Sequence, residues 1–192
     1  AGLNAAKAAA AAGYQVHLVE KSGKLGGWAN HFTKVFPKTP PYSDLEDSGV
    51  EKLIEEVKQN DNITIYLNTT IRRTKGQPGQ FEVTLRNEDK TKLKIGSIVQ
   101  ATGWKPYEPE KLTHLGYGTS PNIITNIQME EKVATGELRT AEGKPIQSIA
   151  FIQCAGSRDQ DHLPYCSSVC CRVSLKQAKY VREQYPDAKI YI

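Results

Sequence analysis

The sequence predicts an α/β fold, because helix-period and strand-period segments alternate along the chain, a small antiparallel sheet interrupts them, and a closing strand–helix–strand run opens a second unit. A helix over 3–12 is dense in Ala, the strongest helix former, and ends at Gly13; a strand over 14–20 follows. Next come a glycine-rich turn over 23–27 and an irregular stretch with aromatics and prolines over 28–42. Val50, Leu53, Ile54 and Val57 keep the three-and-four spacing of a buried helical face, which predicts a helix over 48–59. The period then drops to two. Segments 63–67 and 69–73 read as strands, Gly76-Gln77-Pro78-Gly79 as a turn, and Phe81-Glu82-Val83-Thr84-Leu85 alternates with Leu93 and Ile95 opposite. A strand over 97–101 is expected to run into Ala101-Thr102-Gly103. Beyond a proline-bearing loop lie a helix over 126–136, a strand over 147–153, a helix over 167–184 and a strand over 188–192. The expected division is 1–145 for the first domain and 146–192 for the start of the second.

Composition narrows the classes. In 192 residues, 39% are hydrophobic and 24% charged, the balance of a globular protein and not of a disordered or fibrous chain. Apolar runs such as 8–12 and 148–152 fall far short of the roughly 20 residues of a bilayer span. The net charge is +4, but basic residues alternate with acidic ones, as in Arg86-Asn87-Glu88-Asp89-Lys90, and form no stripe with aromatics, so no nucleic-acid partner is expected. The first thirteen residues read as a helix whose beginning is missing, with no initiator Met, charged leader or cleavage pattern. The last strand has nothing after it to pack upon. The expectation is a fragment of a longer, cytoplasmic chain.

The opening segments read as the later half of a dinucleotide-binding βαβ unit, which needs a tight glycine turn, a small-faced helix, a strand and an acid for a ribose hydroxyl. Gly2 stands as the last glycine of such a turn and Glu20, 18 residues on, as the acid, with Lys21 beside it. A generic α/β unit is the competing reading, since any Ala-rich helix, strand and Glu-Lys pair makes one. Glu20-Lys21-Ser22-Gly23-Lys24-Leu25-Gly26-Gly27 resembles the E-K-x-x-x-L-G-G stretch of two-dinucleotide-domain flavoproteins, and Ala101-Thr102-Gly103 resembles their A-T-G segment. That resemblance implies FAD, with Gly26 and Gly27 giving the backbone access to the pyrophosphate, because glycine lacks a Cβ and tolerates positive φ. Trp28, directly after the double glycine, is the aromatic nominated to line the flavin; Phe32, Phe36 and Tyr42 read equally well as packing.

All four cysteines, Cys154, Cys166, Cys170 and Cys171, fall within 18 residues of a chain that has none in its first 153. Their pattern is C-x11-C-x3-C-C. Four thiolates suit a [4Fe–4S] cluster or a tetrahedral zinc. Disulfides fit poorly, because adjacent cysteines pair badly and nothing marks the chain as secreted. The C-x2-C pairs usual in structural zinc sites are missing. Cluster, zinc and free or redox-active thiols remain open on spacing alone. His17, His31, His114 and His162 have no partner at metal spacing and read as surface or packing residues.

Phe151-Ile152-Gln153-Cys154-Ala155-Gly156-Ser157-Arg158-Asp159, followed by Pro164-Tyr165-Cys166-Ser167-Ser168-Val169-Cys170-Cys171, resembles the flavoprotein A subunit of heterodisulfide reductase and its relatives in quinone-interacting membrane-bound oxidoreductases. The resemblance covers nearly the whole chain. It implies a thioredoxin-reductase-like, FAD-binding Rossmann-like domain and an unusual [4Fe–4S] cluster on Cys154, Cys166, Cys170 and Cys171. It further implies partner subunits of a heterodisulfide-reductase-like or quinone-linked redox complex, through which the chain would meet a membrane. Methanogen members place a cysteine-rich ferredoxin-like segment before the A-T-G; here 28–42 holds no cysteine. Where nicotinamide-using relatives have a glycine-rich turn after the strand, this chain has Cys154-Ala155-Gly156-Ser157-Arg158, which argues against direct NAD(P)H binding. The implied work is electron relay or bifurcation between FAD and the cluster, with no catalytic acid, base or nucleophile assigned. A conventional FAD-dependent pyridine nucleotide–disulfide oxidoreductase would show C-x2-C or C-x4-C in the flavin domain. The remaining alternative is a metal-stapled interaction module without catalysis.

Overall fold

The computed structural model describes residues 1–192 except 38, 89 and 137. The chain is mixed α/β. In order it forms α1 (Gly2–Ala11), β1 (Val16–Val19), β2 (Lys34–Val35), β3 (Glu46–Asp47), α2 (Val50–Lys58), β4 (Ile63–Tyr66), β5 (Thr70–Lys75), β6 (Phe81–Arg86), β7 (Lys92–Ile95), α3 (Asn126–Ala134), β8 (Ser148–Ala150), α4 (Cys170–Gln184) and β9 (Lys189–Tyr191). The expected strands and α-helices stand within a few residues of their places, with one exception and, apart from short 3-10 turns, one addition. No strand forms over 97–101; Ile98 and Val99 are exposed there and the segment joins no ladder. Apolar, β-branched residues favour a strand, but a ladder also needs a free edge alongside, and no described strand pairs with this segment. The addition is β2 and β3, two-residue strands too short for a period to register.

Contacts group the chain into two compact units, Ala1–Asn30 with Gly49–Trp104, and His31–Ser48 with Lys105–Ile192. In the first, β1 and β4 run parallel with Val16 opposite Ile63 and Val19 opposite Tyr66, joined through α2. Ala6 and Ala10, one turn apart on α1, are buried, and their short side chains let the helix lie close over Val57, Ile63 and the half-buried Val16, Leu18 and Leu53. A three-stranded antiparallel sheet, β5-β6-β7, pairs Phe81 with Ile95 and Val83 with Leu93, as the alternation predicts. Val83 and Leu85 are buried on one of its faces. β5 is an edge, exposed along its whole length and broken by a bulge between Ile71 and Arg73.

In the second unit β8 and β9 run parallel, joined through α4, and the antiparallel pair β2–β3 is closed by Lys34 Nζ on Asp47 Oδ1 at 2.6 Å. A Thr125–Gln128 capping box starts α3: the Gln128 N–H donates to Thr125 Oγ1 and the Thr125 N–H to Gln128 Oε1. Met129, Leu138, Tyr180, Val181 and Ala188 make the core. Inside it lies a charge. Glu130 is fully buried; its Oε1 meets Lys176 Nζ at 2.9 Å and accepts from Gln177 Nε2 at 2.8 Å, while its Oε2 accepts from the Tyr180 hydroxyl at 3.5 Å. Lys176 also donates to the Lys34 carbonyl at 3.1 Å and lies over the Phe32 ring. A buried carboxylate persists in a core only when paired and hydrogen-bonded in this way.

Two outcomes follow from the buried network. Glu130→Ala leaves the Lys176 ammonium without its counter-charge and is expected to cost roughly 3–5 kcal/mol, part of it recovered in Glu130→Leu/Lys176→Met, as read from urea unfolding midpoints. Burial and the neighbouring Glu130 carboxylate push the Tyr180 phenol up to about 12. A raised pKa means that the neutral phenol is favoured in the fold, so its contribution is complete below the unfolded value of about 10 and is lost as the pH climbs toward about 12. Stability measured across that window will fall with pH, and Tyr180→Phe will flatten the slope.

Candidate functional site

The residues expected to meet a dinucleotide all lie in the first unit. Glu20 ends the parallel pair: its N–H donates to the Tyr66 carbonyl at 2.9 Å and its carbonyl accepts from the Thr69 N–H at 3.0 Å. It therefore sits at the carboxyl edge of β1, the side on which open α/β sheets bind ligands. The Ser22 N–H and hydroxyl both donate to its Oε1, at 2.8 and 2.9 Å, which fixes the carboxylate's orientation. α1 folds back onto β1 through the short turn at Gly13, so its N-terminus lies at that same edge, and no side chain caps it. Gly2 opens the helix; a Cβ there would lie 3.4 Å from that of Ala101, so the expected last glycine and the A-T-G segment are neighbours.

Gly26 and Gly27 have φ of 103° and 54°. A side chain at Gly26 would strike Asn30 Oδ1 at 2.5 Å, and Asn30 itself donates to the Leu25 carbonyl, so the turn is closed tightly by its own residues. Nothing lies within 4 Å of the corresponding position at Gly27 or Gly103, whose faces are open. Trp28 stacks on Trp104, rings 5.4 Å apart at 23°, and donates Nε1–H to the Trp104 carbonyl at 3.0 Å. Trp104 escaped the sequence reading, although its place directly after Gly103 was a signal. Lys21, Ala101, Thr102 and Gly103 are exposed.

The cysteines lie in the second unit, on the connection between β8 and α4 and on the first turn of α4. In a βαβ unit this is where a nucleotide-binding turn would sit. The connection is held in an unusual conformation. Cys154, Arg158 and Ser168 have φ of 56°, 55° and 57°, a left-handed region in which such residues cost of order 1–3 kcal/mol each and which collects at functional sites. Cross-links fold the loop on itself: the Ser157 N–H donates to the Cys154 carbonyl, Leu163 to Gly156 and Arg158 to Tyr165, at 2.9, 3.2 and 3.1 Å.

Helix phase separates the two adjacent thiols. Cys170 falls on the stripe that continues through the buried Ser174, Gln177 and Val181, whereas Cys171 faces out beside the exposed Leu175. Burial pushes the Cys170 thiol up, but hydrogen bonds from the Cys154 backbone, Ser167 and the Cys171 and Cys154 thiols outweigh it, and its pKa falls below the ordinary value. The Cys171 thiol, hydrogen-bonded to Cys170 and repelled by its charge, is raised, with further repulsion from Cys154 and Cys166. Its Sγ also reaches Gln153 Oε1 at 3.5 Å, and Cys166 Sγ accepts from the Ser168 N–H at 3.3 Å. The four sulfurs thus share one electrostatic neighbourhood. Among the described residues no three His, Cys, Asp or Glu side chains converge closely enough to hold a single metal ion. The thiols of Cys154 and Cys171 nonetheless lie within hydrogen-bonding reach of Cys170.

Three of the four histidines have side-chain partners: His17 meets Tyr66, His31 meets Glu131, and His162, within the cysteine loop, meets Tyr107.

No family model matches the chain. Curated relatives do. The A subunit of a ferredoxin/F420H2-dependent CoB-CoM heterodisulfide reductase from Methanosarcina acetivorans is 26% identical over 277 residues, covering 100% of this chain and 34% of the relative. The iron-sulfur A subunit of a CoB–CoM heterodisulfide reductase from Methanopyrus kandleri is 41% identical over 105 residues, 51% of this chain and 16% of the relative. The chain therefore spans about a third of the first relative's length and less than a fifth of the second's. The 277-residue span exceeds the 192 residues present here, so the Methanosarcina protein carries residues between matched positions that have no counterpart in this chain. Among solved structures, an L-proline dehydrogenase from P. horikoshii aligns over 93% of this chain and 30% of its own, at 20% identity and a TM-score of 0.44, a likeness too slight to bear on fold or activity. By sequence, then, this chain is a relative of the A subunits of heterodisulfide reductases.

Proposed function

We propose that the chain is the flavin- and cluster-bearing part of an electron-transfer oxidoreductase subunit in a heterodisulfide-reductase-like complex. The observation that carries the reading is the placement of Cys154, Cys166, Cys170 and Cys171, all free, on one strained loop and helix start, with the Cys170 thiol hydrogen-bonded to those of Cys154 and Cys171. FAD exchanges electrons singly or in pairs and a [4Fe–4S] cluster exchanges them singly, so together they join two-electron to one-electron chemistry.

In the flavin half, the free N–H groups at the start of α1 face the pyrophosphate, and Gly2 at that helix end lies beside Ala101. Glu20, oriented by Ser22, accepts the ribose hydroxyl; Lys21 stands beside it. Gly26, Gly27, Thr102 and Gly103 bring main chain to the cofactor, and Trp28, held by Trp104, offers a flat apolar wall that excludes water. In the cluster half the four cysteines supply thiolates, the form that ligates iron, and the lowered Cys170 is the first to provide one. Other subunits of the complex supply the electron donor and the terminal acceptor.

The test is cofactor analysis of the full-length parent purified without oxygen. Cys170→Ser is expected to remove about four irons per chain and leave flavin bound. Iron unchanged by that substitution, or flavin without iron in the unaltered protein, points instead to a conventional flavoprotein. The thiol order has its own check on the metal-free chain. Iodoacetamide labelling across a pH series will modify Cys170 at lower pH than Cys171, even though Cys171 is the more exposed; simultaneous or reversed labelling contradicts the assignment.

A further inference from the structure

Resting on the cluster reading above, we infer that Tyr107 is a positioning residue for that cluster, bracing the loop that carries Cys154 and Cys166. Tyr107 lies 47 residues before Cys154 in the chain. Its ring nevertheless fills the space above Gly156: a Cβ at that glycine would come within 2.5 Å of Tyr107 Cδ1, 2.8 Å of Cγ and 2.9 Å of Cε1, distances that no side chain tolerates. On its other flank Tyr107 meets His162, hydroxyl to Nδ1 at 2.7 Å, the two rings edge to face with centroids 5.6 Å apart.

Gly156 is two residues after Cys154 and His162 four residues before Cys166. The ring is therefore laid as a wedge across the two limbs of the loop, against one by close packing and to the other by a hydrogen bond. The Gly156–Leu163 and Arg158–Tyr165 backbone bonds join the limbs directly, and the tyrosine holds them from outside. The left-handed φ of Cys154 and Arg158, on either side of Gly156, is the strain that this arrangement sustains. The glycine is required here twice over, by its φ of 75° and by the ring. Hydrogen bonding and solvent access around the thiolates tune a cluster's reduction potential, so a wedge that fixes two of the four ligands acts on potential as well as on occupancy.

The experiment is a double-mutant cycle in the full-length, anaerobically purified parent. Site iron is taken as the difference from Cys170→Ser, and the cluster midpoint is read by redox titration. Gly156→Ala is expected to lower site iron several-fold. In combination with Tyr107→Ala, the same glycine substitution is expected to lower it less than twofold, because the strain of positive φ is common to both arms and only the ring contact differs. Tyr107→Phe keeps the wedge and loses the hydrogen bond, so iron stays complete while the midpoint shifts. Equal glycine effects in both arms, together with an unmoved midpoint in Tyr107→Phe, overturn the proposal. Should Tyr107→Ala fail to fold, Tyr107→Phe alone decides, an unmoved midpoint then overturning it. If Cys170→Ser retains its iron, it is the cluster reading that falls, whatever the tyrosine variants do.

Discussion

The second unit is organised around a single buried carboxylate. Glu130, on α3, collects Lys176, Gln177 and Tyr180 from α4, positions i, i+1 and i+4 of one helix, and through Lys176 reaches the main chain of β2. Three donors on one face leave the helix little freedom to rotate about its axis, since any turn would strand a charge in an apolar core. The phase of α4 fixes everything at its start. Cys170 is half-buried and its thiol depressed, and Cys171 is exposed and raised, because Gln177 and Tyr180 face Glu130 two and three turns further on.

The first unit depends on the opposite kind of constraint, small residues that permit approach. Ala6 and Ala10 bring α1 down onto the parallel pair, Gly2 lies beside Ala101, and the glycines at 26 and 27 turn the chain at the edge of β1. A dinucleotide site is largely backbone, and this arrangement presents backbone. The two units are thus shaped by different means, one by withdrawing side chains and the other by concentrating sulfur.

Much of this was legible in the residues. The alternation of Phe81, Val83 and Leu85 against Leu93 and Ile95 gave the register of the small sheet outright, and the apolar spacing of 50–57 gave α2, because period and burial are the same fact seen twice. The crowding of four cysteines into 18 residues singled out the segment whose thiols share one electrostatic neighbourhood. What escaped was long-range. Glu130 pairs with a lysine 46 positions away, Trp28 with Trp104 and Tyr107 with His162, and nothing local to any of these residues announces its partner. The strand expected over 97–101 failed for the same reason inverted: its composition was right, but pairing is a property of two segments.

The bulged, fully exposed β5 has a consequence for life outside the fold. An open strand edge is a template for pairing with another chain, and a long, flat, apolar one invites it. Arg72, Arg73 and Lys75 occupy this edge, and the irregularity between Ile71 and Arg73 twists it out of the plane that a docking strand would require. The rim of the small sheet is thereby protected against aggregation.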